Sequence, residues 1–205
     1  MERMTANPRI HIGFSNAGAW WSGAITWATD GYWSHTFAIL DIVDGTKYAI
    51  EAIEGAGVTE SPMSKFRAQA DDPSYRLSVV SLDPIAFQYG PSDIARAWAF
   101  AGQEEGKIAY SNAQLAQMLM FQSLLNVPVK GDSSQGVCST LVARLLMAAV
   151  NYDCCDLRHQ TVAEVSPDSL FRRLADRQGG MDQITCVGAA GLDAQSPLLA
   201  DKWSV

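Results

Sequence analysis

Charge is scarce in this chain. Asp, Glu, Lys and Arg make up 18% of its 205 residues, against roughly 25% in an average soluble protein. No run of Lys or Arg forms a basic patch, and the formal net charge is −7. That balance sets the chain against polyanions, so nucleic acid is not an expected partner. Long apolar runs are also missing: no window approaches the roughly 20 apolar residues of a membrane-spanning helix. The opening Met1-Glu2-Arg3-Met4-Thr5-Ala6-Asn7-Pro8 has no apolar core of signal-peptide length. Cysteine is sparse and unevenly placed, at Cys138, Cys154, Cys155 and Cys186, which gives no disulfide framework. A reducing compartment, the cytoplasm, is the default expectation, with export by a route lacking a cleaved signal left open.

What is present suits a core. Apolar residues make up 48% of the chain, and the length fits one domain of ordinary size. Arg9–Phe14 alternates briefly and reads as a first strand. Trp20–Trp27, a short helix or loop, carries three of the six tryptophans and reads as core or as a cleft wall. Tyr32–Asp41 and Lys47–Ile53 read as a hairpin around the Asp44-Gly45 turn signal. Glu54–Val58 and Ser61-Pro62 read as loop, Met63–Ala70 as one or two helical turns, and Tyr75–Leu82 as another strand. A helix begins at Pro91-Ser92-Asp93, with Ile94, Ala97, Trp98 and Ala101 on its buried face. Asn112 caps a second helix running through Leu125. Ser166-Pro167-Asp168 opens a third, leading into Leu170–Arg177, and Gln183–Val187 reads as a last strand. No internal repeat or biased linker divides the chain. The expectation is an α+β domain over 1–188, an antiparallel sheet with helices packed on it, followed by a tail at 189–205.

One further stretch organises the rest. Small and polar residues, Gly131-Asp132-Ser133-Ser134-Gln135-Gly136, give way to an apolar helical pattern from Cys138 to about Ala149. Cys138, Leu141, Val142, Leu145, Leu146 and Ala149 fall on one stripe. The thiol therefore sits in the first turn, where free N–H groups and the helix dipole favour an anion. A thiol so placed can ionise below its free value. A small buried hydrophobe is the other reading of the same residue.

A cysteine nucleophile needs a base, and the base needs a partner to hold its ring. Histidine is the natural base, and the chain has three: His11, His35 and His159. His35 lies in Trp33-Ser34-His35-Thr36-Phe37-Ala38-Ile39, with Trp33, Phe37 and Ile39 expected on its own face. The return strand, Tyr48-Ala49-Ile50-Glu51-Ala52-Ile53-Glu54, sets carboxylates among apolar neighbours, where each needs a partner. A two-residue turn at Asp44-Gly45 places Glu54 opposite His35; a three-residue turn, Ile42–Asp44, places Glu51 there. One residue of register swaps faces, so arithmetic alone leaves both open. Glu51 is preferred, because it lies inside the apolar run where an unpaired charge costs most. His11 reads as structural.

Ser34-His35-Thr36-Phe37-Ala38-Ile39, Tyr48-Ala49-Ile50-Glu51-Ala52 with Gly57-Val58 and Pro62, Gly106-Lys107-Ile108-Ala109-Tyr110, and Val137-Cys138-Ser139-Thr140-Leu141-Val142 together resemble a known family. They look like the circularly permuted branch of the NlpC-type cysteine peptidases, which includes the YiiX-like proteins and is similar to the lecithin–retinol acyltransferases. The likeness covers residues 9–175 or so. It implies a permuted papain-like fold, with the nucleophile at a helix N-terminus packed against a small antiparallel sheet. By position it implies Cys138 as nucleophile, His35 as base and Glu51 as the orienting residue. Tyr110 falls where the family commonly has a tyrosine near the cleft; Trp33, two residues before the histidine, is the other candidate for substrate contact. Thr36-Phe37 is bulkier than the small pair the family often carries after its histidine. Trp20–Gly31 and the tail after Gln178 stand outside the likeness. The oxyanion donor expected on physical grounds is the backbone N–H of Cys138.

The implied chemistry is acyl transfer through a thioester on Cys138. A peptide, with the peptidoglycan stem as the leading class, is the expected substrate. An acyl lipid or ester is the alternative, since six tryptophans and few charges suit an apolar ligand. A non-catalytic binding domain of the same fold is the reading from outside enzymology. No cofactor is implied. Cys154, Cys155 and His159 lie close in sequence, but adjacent cysteines serve one tetrahedral ion poorly and a fourth ligand is missing, so no metal is expected.

Overall fold

A strand pattern of period two and a helix pattern of period 3.6 must bury their apolar sides against each other, and this chain does so on both faces of one sheet. The computed structural model describes residues 9–16, 32–41, 47–53, 55–70, 72, 74–105, 109–110, 135–136, 138–155 and 165–178. The strands are β1 (Ile10–Asn16), β2 (His35–Asp41), β3 (Lys47–Ile53), β4 (Gly57–Pro62) and β5 (Arg76–Ser81). They form a five-stranded sheet in the order β4-β3-β2-β1-β5, with every neighbouring pair antiparallel. Four helices accompany it among the described residues: α1 (Met63–Ala70), α2 (Pro91–Glu104), α3 (Cys138–Val150) and α4 (Pro167–Arg177). Two short strands, β6 (Ala109–Tyr110) and β7 (Gln135–Gly136), pair in parallel. The chain is thus α+β. None of the helices described is long and apolar enough to cross a membrane.

Alternation along the strands sorts the core into two layers. Ile10, Ile12 and Phe14 of β1, Ala38 and Leu40 of β2, and Ile50 and Ala52 of β3 share one face. Ile94 and Ala97 of α2, the Leu141–Leu146 stripe of α3, and Leu170 and Leu174 of α4 pack with them. The opposite residues, Phe37, Ile39, Ala49, Leu77 and Val79, face Met63 and Phe66 of α1. α3 begins at Cys138 and buries Leu141, Val142, Leu145, Leu146 and Ala149, the stripe expected from sequence. α4 opens with Ser166 as N-cap, its hydroxyl accepting the Ser169 N–H, and with Pro167 in the first turn.

Three expectations need correction here. The β2–β3 register pairs Asp41 with Lys47 and Ala38 with Ile50. The connection is therefore residues 42–46, longer than either turn considered. Continued by one step, the register sets Phe37, not His35, across from Glu51, and His35 lies diagonal to it on the same face. Second, Gly57–Pro62 is a strand, not a loop. Among the described residues it is an edge strand, hydrogen-bonded to β3 alone, so it tolerates Thr59, Glu60 and a terminal Pro62. Gly55 and Gly57, with φ of +77° and +75°, turn the chain into it. Third, Trp33 is not on the face of Phe37 and Ile39. It precedes β2, where strand alternation does not apply, and packs in the other layer against Phe14 and Phe171, at ring-centroid distances of 6.2 and 5.7 Å.

Trp20–Trp27, Glu54, the helix expected over Asn112–Leu125, His159, Cys186, the strand over Gln183–Val187 and the tail at 189–205 lie outside the described residues.

Candidate active site

The thiol of Cys138 stands at the first residue of α3, where the N–H groups of the opening turn have no acceptor within the helix. It is 3% exposed. Around it the sulfur finds the His35 ring and the backbone N–H groups of Thr36 and Ser139. Burial pushes the thiol pKa up. The His35 charge, the hydrogen bond from its ring and the two N–H donors outweigh that and hold it below the ordinary thiol value.

His35 opens β2 and pairs with Ser15 of β1, so its ring sits at the end of the sheet, where the start of α3 can reach it. Its Nε2 lies 3.2 Å from Glu51 Oε2, leaving Nδ1 as the nitrogen for the Cys138 sulfur. Burial alone would lower the imidazole pKa. The charge and hydrogen bond of Cys138, followed by the hydrogen bond and charge of Glu51, raise it to about 10. The ring is thus held toward its charged form and the thiol toward its ionised form, each favouring the other. The His35 side chain keeps 27% of its exposure, so one edge of the pair meets solvent.

Glu51 is 3% exposed through its side chain and has a partner for each oxygen. His35 faces Oε2, Lys65 Nζ of α1 donates to Oε1, and the Ser61 hydroxyl of β4 also bonds the carboxylate. Burial would raise its pKa; the hydrogen bonds of His35, Lys65 and Ser61, with the His35 charge, bring it down to about 2. On the far side of His35, Tyr75 bonds Ser15.

The structure therefore brings together three residues singled out in the sequence, Cys138, His35 and Glu51. It brings the backbone of Tyr110 to the approach of Cys138, pairing it with Gly136; the Tyr110 side chain lies outside the described part. It does not bring Trp33 to the site, for Trp33 is 8% exposed within the core. His11 is buried on β1 with Nδ1 2.8 Å from Ser81 Oγ. Cys154 is 1% exposed, and burial pushes its thiol up to about 12, away from ligation or redox work. Sequence reasoning missed Lys65 and Ser61 on Glu51. The only signal was indirect: Met63 and Phe66 dock α1 on the sheet, and Lys65, just before Phe66, comes beside Glu51 of β3. It also missed Asp168, whose carboxylate accepts the N–H groups of Tyr32 at 2.8 Å and Trp33 at 2.9 Å.

A thiolate, an imidazolium and a carboxylate in series can attack an electrophilic carbon, carry one proton and keep the ring oriented. Among the described residues no group of three or more His, Cys, Asp or Glu side chains is arranged to hold a metal ion.

No protein-family model matches this sequence, and no curated protein matches it. Among solved structures the fold is similar to the crystal structure of the metalloprotein YiiX from Escherichia coli O157:H7, a protein of the domain of unknown function DUF1105. The TM-score is 0.52 at 16% identity, over 92% of this chain and 93% of that one. The chain has a YiiX-like fold.

Proposed function

We propose that this YiiX-like chain is a cysteine hydrolase, a permuted papain-like acyl-transfer enzyme with Cys138 as nucleophile, His35 as acid and base, and Glu51 as the residue that orients and charges the ring. The observation that carries the reading is the continuous hydrogen-bonded series Cys138, His35, Glu51, with the thiol held low and the imidazole raised to about 10. In this reading the Cys138 thiolate attacks an amide or ester carbonyl, forming the carbon–sulfur bond and an oxyanion that the Cys138 N–H faces. The oxyanion collapses, the leaving amine or alcohol departs with the proton of His35, and a thioester remains. Neutral His35 then takes a proton from water or another acceptor, which attacks the thioester and frees the Cys138 thiolate. Glu51 keeps the imidazolium charge compensated at both transfers. A peptide bond, as in a cell-wall stem, is the proposed target class, and an ester or acyl lipid enters the same cycle unchanged.

The YiiX neighbour is a metalloprotein, but the residues of this site do not fit a cation. Glu51 already has Lys65 on one oxygen and His35 on the other, and an ammonium beside the carboxylate disfavours a second cation there.

The test is intact-protein mass spectrometry after exposure to a panel of amide and ester acyl donors, with Cys138→Ala and His35→Ala alongside. An acyl adduct on Cys138 alone, absent from both variants while each still folds, is the expected result. No adduct with any donor, together with iodoacetamide resistance of Cys138 at pH 6, would leave a binding module of the same fold.

A further inference from the structure

We infer that Lys65 is a positioning residue of this site, acting on Cys138 and His35 through Glu51. The inference rests on the acyl-transfer reading above and deepens it. Its ground is where α1 holds the amine. Phe66 stacks on Phe37 with ring centroids 4.1 Å apart, and Phe37 neighbours the His35 ring at 6.0 Å. The helix that bears Lys65 is thereby fixed to the strand that bears the base. The amine also lies 5.3 Å from the Phe66 ring centroid, a cation–π contact that narrows its freedom. From there it donates to Glu51 Oε1, while Oε2 serves His35. One carboxylate rotamer satisfies both, so the ammonium sets the angle at which Glu51 meets the ring.

Charge gives Lys65 a second effect. Thiolate, imidazolium and carboxylate sum to one uncompensated negative charge in a site that is largely buried. An uncompensated buried charge is expensive. The Lys65 ammonium, on a side chain 35% exposed, brings the sum to zero and connects it to solvent. The titratable groups facing Glu51 are His35 from β2, Lys65 from α1 and Tyr75 ahead of β5, with Cys138 from α3 reaching it through His35. Of these Lys65 supplies the positive charge from outside the Cys138, His35 and Glu51 series. Without it Glu51 gains protons more readily, the imidazolium loses its counter-charge, and the thiolate loses a nearby positive field. All three changes move thiolate formation to higher pH.

The experiment is the pH dependence of Cys138 alkylation by iodoacetamide in the full chain, for the natural protein, Lys65→Gln and Lys65→Arg. Gln keeps a donor, on a side chain one bond shorter, but removes the charge; Arg keeps both charge and donor. The expected result is an acid limb moved up by about one pH unit in Lys65→Gln, which is about tenfold slower alkylation on that limb, and restored in Lys65→Arg. In a Glu51→Gln background, Lys65→Gln should add little further shift, because its route is gone. Lys65→Met takes the place of Lys65→Gln if thermal melting shows the latter unfolded. An unmoved acid limb in the charge-removing variant, or an Arg variant displaced as far as the Gln one, overturns the role of Lys65 alone. An ordinary thiol profile in the natural protein overturns the acyl-transfer reading instead, so the two failures are told apart.

Discussion

The carboxylate of Asp168 accepts the backbone N–H of Trp33 at 2.9 Å and that of Tyr32 at 2.8 Å, tying the first turn of α4 to the segment that runs into His35. Asp168 is 8% exposed, and its place at the helix start suits a negative charge. Removing the carboxylate from these two donors, the Trp33 bond buried and the Tyr32 bond part-buried, costs roughly 1.5–3 kcal/mol. Asp168→Asn should therefore lower the urea midpoint by about that much with an unchanged denaturant slope, and slow Cys138 alkylation by loosening the base. A stability change below about 0.5 kcal/mol, the range of ordinary surface substitutions, would mean that the two N–H groups find other acceptors.

The thiolate–imidazolium pair makes a second prediction, about folding rather than turnover. Unfolded, the histidine has its ordinary value of 6.5 and the thiol its ordinary 9.0. Folded, burial opposes both charges, yet the mutual attraction of His35 and Cys138, with Glu51 behind the ring, raises the imidazole to about 10 and lowers the thiol. With a folded pair that is thiolate and imidazolium, as proposed, both states carry one proton between pH 6.5 and 9, on nitrogen when folded and on sulfur when unfolded. Stability from the pair should be flat there. Below 6.5 the unfolded state takes up a second proton, so stability falls as pH falls; above 9 the folded state alone keeps its proton, so stability falls as pH rises toward 10. Urea denaturation of the natural protein against Cys138→Ala/His35→Ala, measured across pH 5–10, should show a plateau with two shoulders. A difference sloping steadily through the middle of that range would rule out the shared proton.

Much of this site could be read from sequence because its parts lie in strongly periodic segments. The Leu141–Leu146 stripe fixed α3 and placed Cys138 at its start, and the branched and aromatic run around His35 fixed β2. The meeting of His35 with Glu51 was harder, since it depends on a five-residue connection whose Asp44-Gly45 signal suggested a shorter one. The ring reaches Glu51 along the diagonal, which cross-strand arithmetic does not consider. β4 was missed because Gly57-Val58-Thr59-Glu60-Ser61-Pro62 has the composition of a loop, and an edge strand can afford it. Trp33 was misplaced by running the alternation of β2 past its first residue. Lys65 carries no pattern at all; only the docking of Met63 and Phe66 gives it a site.

His11 should make acid destabilisation visible on its own. It is 2% exposed on β1, bonded to Ser81, and burial, with the charges of Lys47 and Arg9, pushes it down to about 3. The folded protein thus holds it neutral while the unfolded chain protonates it near 6.5. Its contribution to stability is lost as pH falls from 6.5 toward 3, by about 1.4 kcal/mol for each pH unit in that window. His11→Gln keeps polar atoms in place and removes the titration. The stability gap between the natural protein and His11→Gln should narrow, or reverse, between pH 7 and pH 4. A gap that holds constant would mean that His11 takes up its proton in the folded state as easily as in the unfolded one.

Gly13 is the remaining position where one added atom should matter. It pairs with Phe37 across β1 and β2, and a Cβ there would lie 2.3 Å from two carbons of the Phe37 ring. That ring is fully buried and stacked on Phe66 at 4.1 Å, so it cannot yield freely. The bulk of Phe37 is thus accommodated over a glycine, on the face of the sheet that packs against α1. Overpacking of this kind costs about 1–3 kcal/mol, and Gly13→Ala should lower the urea midpoint accordingly. Because the ring also borders His35 at 6.0 Å, the same variant should slow Cys138 alkylation. Shrinking the ring relieves the clash, so Gly13→Ala/Phe37→Leu should lose less stability than the sum of its two single variants. Strictly additive losses would show that the strand shifts away from the ring instead of pressing on it.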